Sequence, residues 1–301
     1  MAYLIDPLAG LDEVRWESLH HAYGPAVDVP DQLRALRSAE VPVRRGALSE
    51  LFGNVYHQGT RWGASCHVVP FLAALADDRA TPDRAAVVDL LRSVVLGDRR
   101  DDELPFDPQR TFAAAEGVTD EQSALVERHL EAEDLFDHEE VAELADDVVV
   151  RWEHDAFQAG GRHTDRYVRW LTDPDPLLAA YAAELLAWFA PDEAALTGLV
   201  AVPDEEFRAA ARASANLTLG HCPVSSPRID GRLGELLSAA APVVRVTAAV
   251  GLAYRLGDQL PDLALDVLID ARGTDFDADV AGWQRPVRGF VALALHRLGL
   301  G

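Results

Sequence analysis

The chain has 301 residues, 49% of them hydrophobic and 26% charged, and its 50 acids against 27 bases leave a formal charge of −23, which repels a polyanion at long range and argues against nucleic acid as a ligand. All 27 bases are arginine, and the absence of lysine removes Schiff-base chemistry, lysine-held pyridoxal phosphate and the Walker lysine. Cys66 and Cys222 form no C-x-x-C pair and no apolar run approaches the ~20 residues of a membrane span, so a disulfide framework, a cysteine zinc site and a transmembrane helix are all excluded.

The first residues, Met-Ala-Tyr-Leu-Ile-Asp-Pro, lack a basic n-region and meet an acid at Asp6, which predicts a cytoplasmic protein without a secretory signal. Helices are then predicted in pairs. A helix over residues 31–36 is followed by Pro42-Val-Arg44 with Ala47 and Leu51, and a helix over 60–76 by Pro82-Asp-Arg84 with Val87 and Leu91. Proline is tolerated in a first turn, where its missing N–H has no helical partner, and the apolar set at i, i+3 and i+7 marks one helical face. Thr60 is placed to cap the second of these pairs while Gly59 ends the helix before it, and Pro70 is placed to kink it.

Residues 98–147 carry 18 acids against 4 arginines, so most of the net charge is local. Thr119-Asp-Glu-Gln122 reads as a capping box opening a helix to about Leu135, and Asp137 or a neighbour can cap a second helix to about Phe157. Leu104-Pro-Phe-Asp-Pro108 and Gly160-Gly161 read as flexible edges. The pairing then resumes: 167–171 with Pro176-Leu-Leu178, Tyr181 and Leu185; 193–200 with Arg208 and Ala211; 231–239 with Pro242, Arg245, Ala248 and Leu252; 262–271 with Pro286-Val-Arg288, Val291 and Leu295. The anchor positions lie 40, 94, 30, 37 and 43 residues apart, which brackets the ~40–47 residues of a two-helix HEAT or armadillo unit apart from the long gap.

Asn54-Val-Tyr-His57-Gln58-Gly59-Thr60, followed by Val69-Pro70-Phe71-Leu72, resembles a signature of bacterial HEAT-repeat proteins over about the first quarter of the chain. The resemblance implies an armadillo-type fold and no single activity. The expected fold is all-α, a right-handed α-solenoid of HEAT-like two-helix repeats with an acidic helical insertion. It is drawn as one domain over 1–301, with N-terminal repeats at 1–97, an insertion or diverged repeats at 98–165, and C-terminal repeats at 166–301.

Candidate binding residues lie on the second helices, which line the concave face of such a solenoid: Arg45, Asn54, Arg212, Asn216, Arg255 and Arg297, joined by His57 and Gln58 at a helix end. Arginines there could take a carboxylate bidentately or pair with acids of the next repeat. The Arg44, Arg84, Arg245 and Arg288 ladder recurs at one repeat position and reads as structural, through inter-repeat hydrogen bonding and charge pairing. His129 with Glu133, and Asp134 with His138, have i, i+4 spacing but no H-E-x-x-H occurs, so these pairs read as helix charge pairing, with no metal or cofactor expected. Cys66 beside His67 reads as a buried small hydrophobe, because adjacent helical residues do not face each other. Trp62, Trp152, Trp170 and Trp188 with Glu153 and Asp155 invite comparison with HEAT-like DNA glycosylases, against a core-packing role. No G-x-G-x-x-G, G-x-S-x-G or P-loop is present.

The function these features predict is a monomeric, non-enzymatic scaffold that binds a protein, basic in character, through its concave face, its acidic segment or both. A toxin-neutralising, immunity-like role would suit such an acidic surface. The alternative is an enzyme, either a HEAT-like DNA glycosylase or a small-molecule lyase with a carboxylate in the groove.

Overall fold

The computed structural model describes residues 6–274, 276 and 278–300; residues 1–5, read above for targeting, lie outside them. Among the described residues the secondary structure is helical apart from one hairpin and one isolated bridge, and no helix is long and apolar enough to cross a membrane. The chain forms two compact units.

The first unit runs to Asp98 and resumes over Asp107–His163. A two-residue antiparallel hairpin, β1 (His20–His21) with β2 (Gly24–Pro25), precedes α1 (Val29–Ala35), α2 (Val41–Val55), α3 (Ser65–Asp77) and α4 (Arg84–Leu96). After the unit resumes come α5 (Pro108–Thr111), α6 (Asp120–Glu131) and α7 (Glu139–Gly161). Proline stands in the first turn of α1, α2 and α5, and Pro70 lies inside α3. The Thr119–Gln122 capping box opens α6 with both reciprocal bonds made.

The acidic segment is not an appendage, since α7 packs on α3 and α4 as well as on α6. Val118, Val126, Leu135, Val148 and Trp152 form a buried cluster with Trp62 and Leu144 packed against it. Removing this segment would strip α3 and α4 of a packing partner. Gly160-Gly161, expected as a flexible edge, is instead the last turn of α7. Gly160 is there for close approach, because a Cβ at that position would strike Val95 of α4. The other expected edge is also fixed: Phe106 meets Trp188 edge-on at 5.7 Å within the second unit.

That unit holds Arg99–Phe106 and the chain from Thr164 onward. Its helices are α8 (Thr164–Trp170), α9 (Pro176–Leu185), α10 (Glu193–Ala201), α11 (Ala209–His221), α12 (Pro227–Leu236), α13 (Pro242–Leu256), α14 (Asp262–Gly273) and α15 (Val287–Arg297). Each consecutive pair packs together, α8 with α9 through α14 with α15. The second members, α9, α11, α13 and α15, also pack on one another in sequence order. Small residues permit this closeness: a Cβ on Gly220 of α11 would collide with the backbone at Gly251 of α13.

Arg44, Arg84 and Arg245 of the repeated set have a common task. Arg44 donates to the carbonyls of Ser38 and Ala39, Arg84 to that of Ala76, and Arg245 to those of Ala239 and Ala240. Each closes carbonyls at or just past the end of the preceding helix, which the helix itself cannot satisfy. Arg208 does the same past α8, reaching the carbonyls of Leu171 and Asp173. Arg44 also links to the next repeat, its Nε 2.8 Å from the carboxylate of Asp83, the residue before α4.

Candidate functional site

Two of the residues expected on a ligand-facing surface are buried struts. Arg212 is fully buried and donates to the carbonyls of Leu199, Val200 and Val202 at 2.8, 3.2 and 3.0 Å, closing the end of α10, while its Nε bonds the Asn216 side chain. Burial without a contacting carboxylate pulls its pKa down to about 9. Asn216 ties α11 to α13 through the Val244 carbonyl and the Thr247 hydroxyl. Neither is placed to meet a ligand, because the pair-facing side of a second helix has carbonyl ends to satisfy and takes the polar side chains inward.

Arg255 and Arg297 do come together, lining a cleft of about 590 Å³ with Tyr254, His221, Gln259 and Asp230. Arg255 is committed to Asp230 and to the carbonyls of Leu219, Cys222 and Val224. Arg297 stands exposed with its guanidinium 4.0 Å above the Tyr254 ring, and is the cleft's cationic group with capacity left for a ligand. His221 donates from Nδ1 to the Leu217 carbonyl and stacks on Trp283. Burial pulls its pKa down to about 4 and pushes the Tyr254 hydroxyl above its ordinary range. The cleft therefore has a neutral aromatic floor of His221 and Tyr254, an Asp230–Arg255 ion pair in its wall and Arg297 at its rim, an arrangement suited to binding.

The first unit disperses its share of the expected residues. Arg45 is exposed on α2. Asn54 is buried, with its amide donating to Asp28 and to Gln32. His57, expected with Gln58 at a helix end, lies just past one: α2 ends at Val55 and His57 enters the turn that follows. His57 and Thr60 exchange backbone hydrogen bonds around Gln58 and Gly59, both at positive φ, so Thr60 closes a tight turn rather than capping α3. No side chain caps α3; Ser65, its first residue, instead ties the turn to α2, its hydroxyl accepting from Trp62 N–H and donating to the Val55 carbonyl. The Cys66 thiol is pushed up to about 12, first by burial and then by Asp155, which leaves it unreactive.

The named tryptophans separate as well. Trp62 and Trp152 lie 6.0 Å apart in the first unit, whereas Trp170 and Trp188 are buried in the second. Of the named acids, Glu153 pairs with buried Arg61 at 3.0 Å and Asp155 with Arg151 at 2.8 Å. The carboxyl that does sit by the tryptophan pair is Glu127, which sequence reasoning missed. It is 9% exposed, and burial pushes its pKa up to about 7 against the opposing hydrogen bond from the His20 backbone N–H. Gly63 makes room for it, since a side chain there would run into the Glu127 carboxylate.

A further group sits where α6 turns into α7. Phe136 is 89% exposed at this corner, and Glu139, Glu140, Glu143, Asp146 and Asp147 are exposed along the first half of α7. None of these five acids makes an ion pair among the described residues. His129, expected to pair with Glu133, instead bonds Asp134, with Nδ1 to Oδ1 at 2.7 Å, and His138 closes on the same carboxylate. The hydrogen bond from His129 holds the Asp134 carboxyl below its ordinary range.

No protein-family model matches the chain, and no curated protein matches it.

Proposed function

We propose that this protein is a non-catalytic, cytoplasmic scaffold of HEAT-like helix pairs in an α-solenoid, and that it binds a basic protein partner through the acidic corner of α6 and α7. The observation that carries the reading is Phe136, 89% exposed, beside a run of exposed α7 acids that have no ion-pair partner among the described residues. An exposed aromatic ringed by one sign of charge supplies an apolar anchor and electrostatic steering together. The consecutive helix pairs of the second unit, with second members packed in one row, support the repeat reading. So do the arginines that close successive helix ends.

The test compares the wild type with Phe136→Ser and with Glu139→Arg/Glu143→Arg as bait in a lysate of the native host. A stoichiometric basic protein retained by the wild type at low salt, lost as salt rises and lost from both variants, is the expected result. Equal capture by all three baits, or capture insensitive to salt, overturns the reading.

A further inference from the structure

The corner between α6 and α7 brings two imidazoles to one carboxylate. Asp134 Oδ1 lies 2.7 Å from His129 Nδ1 and its Oδ2 lies 3.6 Å from His138 Nε2, with the two rings 4.5 Å apart. One hydrogen bond accounts for His129, but 3.6 Å is too long to account for His138. Donor atoms on a tetrahedral zinc ion, each 2.0–2.2 Å from the metal, stand about 3.3 Å from one another. One donor atom from each of the three residues can be chosen so that all lie within 4.8 Å of one another, close enough to converge on one ion.

The backbone arranges this meeting. At the end of α6 the Glu133 N–H bonds the Leu130 carbonyl and the Asp134 N–H bonds the His129 carbonyl, while Glu133 itself takes φ 56°. That is a Schellman closure, which folds the chain back over the last helical turn and returns Asp134 to His129. His138 then stands immediately before α7, its side chain half exposed. Glu131, Glu133, Asp137, Glu139 and Glu140, all exposed, flank the three residues in sequence and raise the local concentration of cations.

We propose that His129 Nδ1, His138 Nε2 and the Asp134 carboxylate bind one borderline divalent cation, of which zinc is the type. Two imidazoles with one carboxylate suit zinc and its first-row neighbours rather than calcium or magnesium, which prefer all-oxygen sites. The exposed side of His138 leaves a fourth position for water. Bound there, the ion fastens the start of α7 to the end of α6. The inference is independent of the docking reading, because it needs no partner protein.

The experiment is calorimetric titration of zinc chloride into the full chain, prepared without a polyhistidine tag and stripped with chelator. One equivalent should bind, with affinity falling at least about tenfold in each of His129→Gln, Asp134→Asn and His138→Asn, and unchanged in His296→Asn, an exposed histidine elsewhere. Circular dichroism of each variant checks that it folds, and His138→Asn, at a half-exposed position, keeps the test decisive if a more buried change does not. Calcium chloride should show no saturable binding at this site. Absence of a one-to-one zinc event, or a one-to-one event that survives all three substitutions, overturns the proposal.

Discussion

Beside Gly63 and the Trp152 indole, the Glu127 carboxyl has little water to solvate a charge, and burial is the main cause of its rise to about 7 from an ordinary 4.5. The native state therefore holds a proton there that the unfolded chain has released, so this residue's contribution falls as pH rises from about 4.5 to about 7. Glu127→Gln removes the charge and keeps the shape. It should raise stability by about 2 kcal/mol at pH 8 and by under about 1 kcal/mol at pH 5, where the unfolded carboxyl is only partly ionised, measured by urea unfolding at both. An equal change at the two pH values would mean that the carboxyl titrates normally. Trp62 and Trp152 were legible as a candidate pair, but Glu127 was hidden in a stretch where acids are common. Its one clue was position: beside Val126 and three residues before Leu130, it falls on the apolar face of α6. Arg212 and Asn216 erred in the opposite sense, because the carbonyls that claim them are backbone atoms and leave no trace in residue identity.

Elements announced by side chains close in sequence were legible, and those set by distant contacts were not. The Thr119–Gln122 box and the first-turn prolines work locally, so α6 starts where expected. Its end does not, because α6 stops at Glu131 through the Schellman closure instead of running to about Leu135. No glycine marks that stop. Glu133 occupies the left-handed position, where a side chain costs roughly 1 kcal/mol that glycine avoids. Glu133→Gly should therefore stabilise the chain by about 0.5–1 kcal/mol in urea unfolding, and Glu133→Val should destabilise it. Loss of stability with glycine would show that the Glu133 side chain supports the turn. Gly160 illustrates the second case: read locally, Gly160-Gly161 is a breaker, yet contact with Val95, distant in sequence, makes glycine the residue that lets α7 lie against α4.

At the scale of the whole molecule, the alternation of helix pairs was readable from the spacing of Pro-x-Arg anchors, because each pair repeats one local pattern. The partition into two units was not, because it depends on α7 packing against α3 and α4 across a long stretch of chain. Charge crosses the same scale. The chain carries −23, and of the 18 acids within residues 98–147 all but Asp101, Asp102 and Glu103 lie in the first unit, with only Arg110 and Arg128 of the four arginines, so self-repulsion concentrates there, in part on helices that also supply its core. Salt weakens repulsion and attraction alike, but exposed ion pairs contribute only ~0–1 kcal/mol each, and many here, such as Arg34 with Asp31, are exposed. Repulsion should win. The first thermal transition should rise by roughly 3 °C between about 10 and 200 mM sodium chloride. Most of that rise should vanish in a variant carrying Glu139→Gln, Glu143→Gln, Asp146→Asn and Asp147→Asn, whose melting point at low salt should already be raised. A wild-type midpoint that stays flat or falls with salt would mean that the surface ion pairs outweigh the crowding of acids on α7. A rise that persists in the neutralised variant would place the repulsion elsewhere in the chain.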